Sequence, residues 1–129
     1  MKQMRKGFSL IELLVVITVV ALLATLAYPS YANFIRKAQR AQAQATMIDW
    51  ANRLEVWRAD NPTYSTDINP TNTDRYEYSI TADATSYTLT ATAIGQQVDD
   101  KEDGVSCGSM TLLQDGSVGP PGYQRCWGG

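Results

Sequence analysis

The chain has 129 residues, with 11 lysines and arginines against 13 aspartates and glutamates, two cysteines and no histidine. That length supports one domain with a hydrophobic core and leaves little room for a second. Without histidine, the commonest general base and metal ligand are missing, which excludes Ser–His, Cys–His and zinc-hydrolase chemistry. The residues are unevenly distributed. Of the 21 residues from Phe8 to Tyr28, 17 are apolar; residues 1–58 carry eight basic and three acidic side chains, and residues 59–129 carry three and ten. A basic, oily front is joined to an acidic back.

Residues 1–7 hold Lys2, Arg5, Lys6 and Gly7, and the apolar run follows at once. Roughly 20 apolar residues at about 1.5 Å each span a ~30 Å hydrocarbon core. The basic cluster stays cytoplasmic, which puts residues after Tyr28 on the other side of the membrane. A secretory signal peptide also begins with basic residues, and Leu26-Ala27 offers a small-residue cleavage site. Signal cores, however, run only about 7–15 residues. A plain signal anchor is the other simple reading.

Glu12 decides between these readings. A carboxylate inside such a run costs on the order of 2.5–3.5 kcal/mol and needs a neutralising partner. No Lys or Arg lies between Phe8 and Asn33. The partner must therefore be another chain or a new amino terminus. Cleavage after Gly7 would expose an α-amino group on Phe8, well placed for the Glu12 of a neighbouring copy.

Lys6-Gly7-Phe8-Ser9-Leu10-Ile11-Glu12-Leu13 resembles the class III signal of type IV prepilins, and the likeness continues through Tyr28-Pro29-Ser30-Tyr31 and Arg36-Lys37-Ala38-Gln39. The resemblance implies that a prepilin peptidase cuts after Gly7 and N-methylates Phe8. It also implies that Glu12 pairs with the terminal amine of an adjacent subunit. Many family members carry Gly about halfway along the run, where this chain has Ala21. Ala is the better helix former by about 1 kcal/mol, so Pro29 becomes the weak point if assembly requires unwinding.

Pro29 lacks an N–H and is expected to kink a continuing helix. Beyond it, Phe34, Ala38, Ala41, Ala45, Ile48, Ala51 and Leu54 recur at spacings of three and four, an amphipathic stripe expected to face the core. Trp50 and Trp57 offer large surfaces to a covering sheet. Asp60-Asn61-Pro62 ends the helix. A helix from Phe8 to Ala59 would be roughly 78 Å long, more than a head of this size can bury. Arg36, Lys37 and Arg40 read as a solvated or headgroup-facing surface, with a subunit contact as the sharper alternative.

Residues 60–75 read as a loop. Residues 75–80 and 87–93 alternate with period two and make an antiparallel hairpin around residues 83–86. Tyr76, Tyr78, Ile80, Tyr87, Leu89 and Ala91 should face the helix. A third strand, 109–113, ends at Asp115-Gly116. Cys107 and Cys126, 19 apart and outside the cytoplasm, suggest a disulfide; free thiols or a metal pair are the alternatives. The resemblance strengthens the disulfide, since type IVa pilins commonly close a C-terminal loop this way. The Cys126-Trp127 ending resembles PilE-like minor pilins. Residues 99–104 (Asp-Asp-Lys-Glu-Asp-Gly) hint at calcium but fail the EF-hand spacing, with Lys101 at position 3 and Met110 at position 12. A solvated acidic hairpin tip is the default there, with a looser calcium loop of the kind seen in type II secretion pseudopilins as the alternative.

The expectation is therefore an α+β pilin fold: a long N-terminal helix, transmembrane in its first half, packed against a small antiparallel sheet. Its parts are a leader at 1–7, a membrane and assembly helix at 8–28, an amphipathic helix at 29–59 and a disulfide-closed head at 60–129. The expected function is that of a non-enzymatic pilus subunit without cofactor, more minor than major, serving assembly and pilus-dependent motility, adhesion or DNA uptake. Its partners would be other pilins, the prepilin peptidase, the inner-membrane assembly machinery and, before assembly, lipid. The chain would sit in the inner membrane with its head in the periplasm, then in an extracellular pilus. The acidic head argues against nucleic acid as a partner. A type II secretion pseudopilin, or a membrane-anchored binding domain that keeps residues 1–7, would share the same front.

Overall fold

A computed structural model describes residues 7–128; the leader residues Lys2, Arg5 and Lys6 lie outside the described residues. The chain forms two compact units, one ending at Phe34 and the other Ile35–Gly129. One helix, α1 (Leu10–Asp60), belongs to both and continues through Pro29. It is long and apolar enough at its N-terminal end to cross a membrane. In the first unit every described residue from Gly7 to Tyr31 is exposed, so this stretch has no core of its own.

The second unit is built as the sequence pattern leads one to expect, with some additions. β1 (Tyr76–Ala82) and β2 (Tyr87–Ala93) form the antiparallel hairpin, in register Tyr76↔Ala93 through Ala82↔Tyr87. The turn is held by Asp83, whose Oδ1 accepts the backbone N–H groups of Thr85 and Ser86, both at 2.8 Å. β5 (Ser109–Leu113) adds antiparallel to β2, and β6 (Val118–Gly119) adds to β5, giving the order β1-β2-β5-β6. The strand β6 was not anticipated. It is two residues long, too short for a period to register, and its Gly119 is required by contact: a Cβ there would lie 2.8 Å from Thr111 Oγ1.

Between β2 and β5 a 3₁₀ turn (Gly95–Asp99) leads into a small hairpin, β3 (Lys101–Glu102) and β4 (Val105–Ser106). Asp103 and Gly104 form its two-residue turn with φ of 49° and 80°. Positive φ at both centres is what a tight hairpin needs, and Asp-Gly supplies it cheaply.

The sheet packs on α1 through Ala43, Met47, Trp50 and Leu54, which meet Tyr76, Tyr87, Leu89, Ala91, Ala93, Met110 and Leu112. The expected strand faces hold: Tyr76, Tyr87, Leu89 and Ala91 are buried, and Tyr78 and Ile80 are partly buried against this core. Trp50 meets Tyr78 edge-on at 6.3 Å, and its Nε1 donates to the Ile68 carbonyl. Trp57, by contrast, is exposed.

The helix phase is the main correction. Of the expected stripe, only Leu54 is buried and Ala51 partly so; Phe34, Ala38, Ala41, Ala45 and Ile48 are exposed. The buried series is Arg40, Ala43, Met47, Trp50 and Leu54. From Ala38, Ala41, Ala45 and Ile48 it is displaced by two positions each time, or about 200° around a helix at roughly 100° per residue. The head helix is therefore apolar on two nearly opposite faces. The sheet covers the face that carries Trp50 and Met47, whose larger side chains fill the space that alanine leaves empty.

Candidate functional site

The N-terminal end of the helix is organised around Glu12. Ser9 precedes the first helical residue, and its Oγ accepts the Glu12 backbone N–H at 3.2 Å. Glu12 Oε2 in return accepts the Ser9 N–H at 3.4 Å. This is a reciprocal capping box of the Ser-x-x-Glu type, and it satisfies two backbone donors that a helix start otherwise leaves open. The Ser-x-x-Glu spacing is readable from the sequence alone. Gly7 and Phe8 lie ahead of the helix, Phe8 81% exposed and Gly7 with open space where a Cβ would stand.

Pro29 is exposed within α1, and beside it Ser30 Oγ donates to the Leu26 carbonyl at 3.4 Å. Proline leaves the carbonyl four residues earlier without its usual donor. The assignment nevertheless remains helical across it.

In the second unit the basic trio of α1 is divided: Lys37 is exposed, Arg36 half-buried and Arg40 buried. Arg40 is 3% exposed; its Nη2 lies 2.5 Å from Glu102 Oε2 and its Nε 3.5 Å from Asp100 Oδ2. Lys37 Nζ approaches Glu102 Oε1 at 3.7 Å, and Arg36 Nε donates to the Gln96 carbonyl at 3.1 Å. The acidic tip is solvated in part: Asp99, Lys101 and Asp103 are exposed, whereas Asp100 is buried with its Oδ2 3.5 Å from Arg40 Nε, and the partly exposed Glu102 pairs with Arg40. Burial pushes the Asp100 carboxyl above its ordinary value, with Arg40 pulling the other way. The hydrogen bond from Arg40 holds Glu102 below its ordinary value. The guanidinium takes two carboxylates because a lone buried charge is costly.

Gln97 completes this wall, fully buried between helix and sheet. Its Nε2 donates to the Arg36 carbonyl at 2.8 Å and to Tyr76 Oη at 2.9 Å, and its Oε1 accepts from Arg75 Nη1 at 3.1 Å. Nothing in the local sequence marks Gln97 or Arg40 as interior residues. Their partners lie 21 to 67 positions away.

The two cysteines form the Cys107–Cys126 disulfide. It is pinned to α1 from two sides. Arg40 Nη1 lies 2.8 Å from Cys107 Sγ, and Gln44 Nε2 donates to the Cys126 carbonyl at 2.6 Å. A second 3₁₀ turn (Gln124–Trp127) carries Cys126 and brings Trp127 partly into the core.

A long N-terminal apolar helix packed against a small antiparallel sheet is an architecture found in proteins already known. The family model described as "Type IV minor pilin ComP, DNA uptake sequence receptor" matches residues 29–111, more than half of the chain. This chain belongs to the type IV minor pilin family. The prokaryotic N-terminal methylation motif matches residues 2–28. Among solved structures, a type IV pilin from Shewanella oneidensis aligns with a TM-score of 0.56 at 26% identity, over 67% of this chain and 93% of that one. No curated protein matches. Fold and family are those of structural, non-enzymatic subunits that assemble with other pilins.

Proposed function

We propose that this pilin is a minor structural subunit, processed between Gly7 and Phe8, anchored by residues 8–28 and then drawn into a filament. The observation that supports it best is the outward apolar face of α1. Ala38, Ala41, Ala45 and Ile48 turn away from their own sheet, and the apolar run before Phe34 has no cover either. A fibre of copies related head to tail supplies that cover without closing into a ring. The leader stays in the cytoplasm, the head lies in the periplasm before assembly, and the prepilin peptidase and inner-membrane assembly machinery act on the chain in turn. Glu12 pairs with the methylated amine of a neighbouring Phe8 and so sets the register, while Pro29 offers a place to adjust the helix.

Mass spectrometry of the mature protein should find a chain that begins at methylated Phe8. Glu12→Gln should leave cleavage intact and remove most of the subunit from purified filaments. Normal incorporation of that variant would end the role given to Glu12.

The family description favours a second reading, recognition of DNA. The charge of this head supports it poorly. Residues 35–129 hold eight basic and twelve acidic side chains. Four of the eight cations, Lys37, Arg40, Arg53 and Arg125, already meet carboxylates, and Arg36, Arg58 and Arg75 donate to neutral carbonyl or amide oxygens. Proteins that hold DNA neutralise phosphates and bind more weakly as salt rises. A gel-shift titration with duplex DNA should show no complex near physiological salt, and a salt-dependent shift would favour the receptor reading.

A further inference from the structure

A groove of about 330 Å³ lies along the head, with α1 on one side and β5, β6 and the second 3₁₀ turn on the other. Ile48 and Ala51 line it from the helix, and Leu113, Val118 and Trp127 from the opposite side. Ile48 and Leu113 are exposed, while Ala51, Val118 and Trp127 pack partly against the core. Among the described residues, no Lys, Arg, Asp or Glu lines the groove, whereas Lys37, Arg40, Glu102, Asp103 and Arg125 all line a second cavity nearer the disulfide. Ile48 is also the last of the outward residues Ala38, Ala41, Ala45 and Ile48, so the groove continues that uncovered face.

We propose, on the strength of the filament reading above, that this groove takes the Tyr28–Phe34 segment of a second copy of the chain. Tyr28, Tyr31 and Phe34 form an i, i+3 row on α1, and all three are exposed. No charged residue occurs between Glu12 and Arg36, so the segment enters an uncharged groove without stranding an ion there. A buried tyrosine needs a partner for its hydroxyl. Asn52 lines the groove with an exposed amide, and Gln114, which also meets Tyr64, brings a second. A lipid acyl chain would use neither amide. Ala41 and Ala45 let a second helix come close beside the groove.

Groove and aromatic row are different surfaces of one molecule, so the contact is heterologous and repeats along a fibre without closing. It also demands a stagger. From Tyr31 to Ile48 is about 26 Å along a helix at 1.5 Å per residue. Parallel copies anchored at one bilayer depth cannot meet this way, and copies displaced along a fibre can. The contact therefore forms as a subunit leaves the membrane, and the groove stays open until then.

The test is a photocrosslink. Tyr31→p-benzoylphenylalanine is made in the full chain, and filaments purified from the cells are irradiated. Crosslinked dimers of this chain are then reduced and digested with trypsin. The peptide ending at Arg36 should be joined to residues 41–53 or 102–125, which hold Ile48 to Asn52 and Leu112 to Val118. Membranes from cells blocked before assembly should lack that product. Leu113→Lys should lower its yield per incorporated subunit about tenfold, with the urea midpoint of the head unchanged because Leu113 is exposed. If the substitution at Tyr31 keeps the chain out of filaments, Phe34→p-benzoylphenylalanine takes its place. A crosslink to lipid, to another pilin or to a different part of the head, in filaments that contain the chain, would overturn this contact alone. Absence of the unsubstituted chain from filaments would overturn the filament reading and this contact with it.

Discussion

The two halves of α1 make opposite use of the same secondary structure. From Leu10 to Tyr31 the helix is an almost unbroken series of Leu, Ile, Val and Ala, and every one of these residues that is described is exposed. From Ile35 to Asp60 it carries arginines, glutamines and aspartates, and this half supplies the core. Its most buried positions include a guanidinium at 3% exposure, while Ile48 on the other side of the same turns is 51% exposed. Hydrophobicity therefore does not predict burial along this chain. Burial requires a surface to pack against, and within one subunit only the inward face of the second half has one. The exposed apolar surface is a demand for partners, which filament assembly would meet.

Substitutions in the two regions should separate these roles. The largest loss of head stability is expected from Arg40→Met, which strands Asp100 in a buried site. Breaking a buried pair from one side costs about 3–5 kcal/mol, readable as a shift in the urea midpoint of the full chain in detergent. Unchanged stability would mean that Arg40 is not held inside. Next comes the disulfide: replacing both cysteines with serine should cost on the order of 3 kcal/mol for a loop of this size, though the value depends on the unfolded state.

Alkali should act on the sheet face of the head. Burial pushes Tyr76 up to about 12 and, with the Glu55 carboxylate adding to it, Tyr87 up to about 12, from an ordinary 10.0. Since the folded values are raised, their contribution to stability is complete below pH 10.0 and is lost as pH climbs toward about 12. Absorbance at the phenolate band should show these two titrating late, with unfolding over the same interval. The smallest stability effect is expected for Ile48→Ala, within about 0.5 kcal/mol because the side chain faces away from the core. The same variant should lower recovery in filaments. A destabilisation of several times that size would show that the face is not free and would collapse the contrast between the two sides of the helix.

Local signals accounted for much of this. Gly7-Phe8 and Glu12 stand out in the sequence because a carboxylate in an apolar run is expensive and has few remedies, and the roles proposed for them rest on that cost and on the family resemblance. The hairpin 76–93 is legible because alternation with period two leaves one face to bury, and Tyr76, Tyr87, Leu89 and Ala91 are on it. The cysteine pair followed from its even count, strengthened by the family resemblance. The helix phase did not follow. With apolar residues on two nearly opposite faces, periodicity identifies a helix but gives no basis for choosing between them, and the sheet covers the face of Met47 and Trp50 rather than the alanine-rich one. Arg36, Lys37 and Arg40 look like any basic cluster until β3 and the 3₁₀ turn place Glu102, Asp100 and the Gln96 carbonyl against them.

What the amino-acid order alone determined about this protein is its division of labour: an oily rod with one acid near its start, an acidic sheet-bearing head and a loop that needs a cross-link. Those features depend on composition and short spacing, which no folding partner alters. Only the tertiary structure decided which side of the head helix is interior, that a guanidinium belongs there, and which sulfur of the disulfide it touches. These depend on residues brought together from up to 82 positions apart, and a charge that is ordinary on a surface becomes a structural tie once carboxylates arrive to meet it inside.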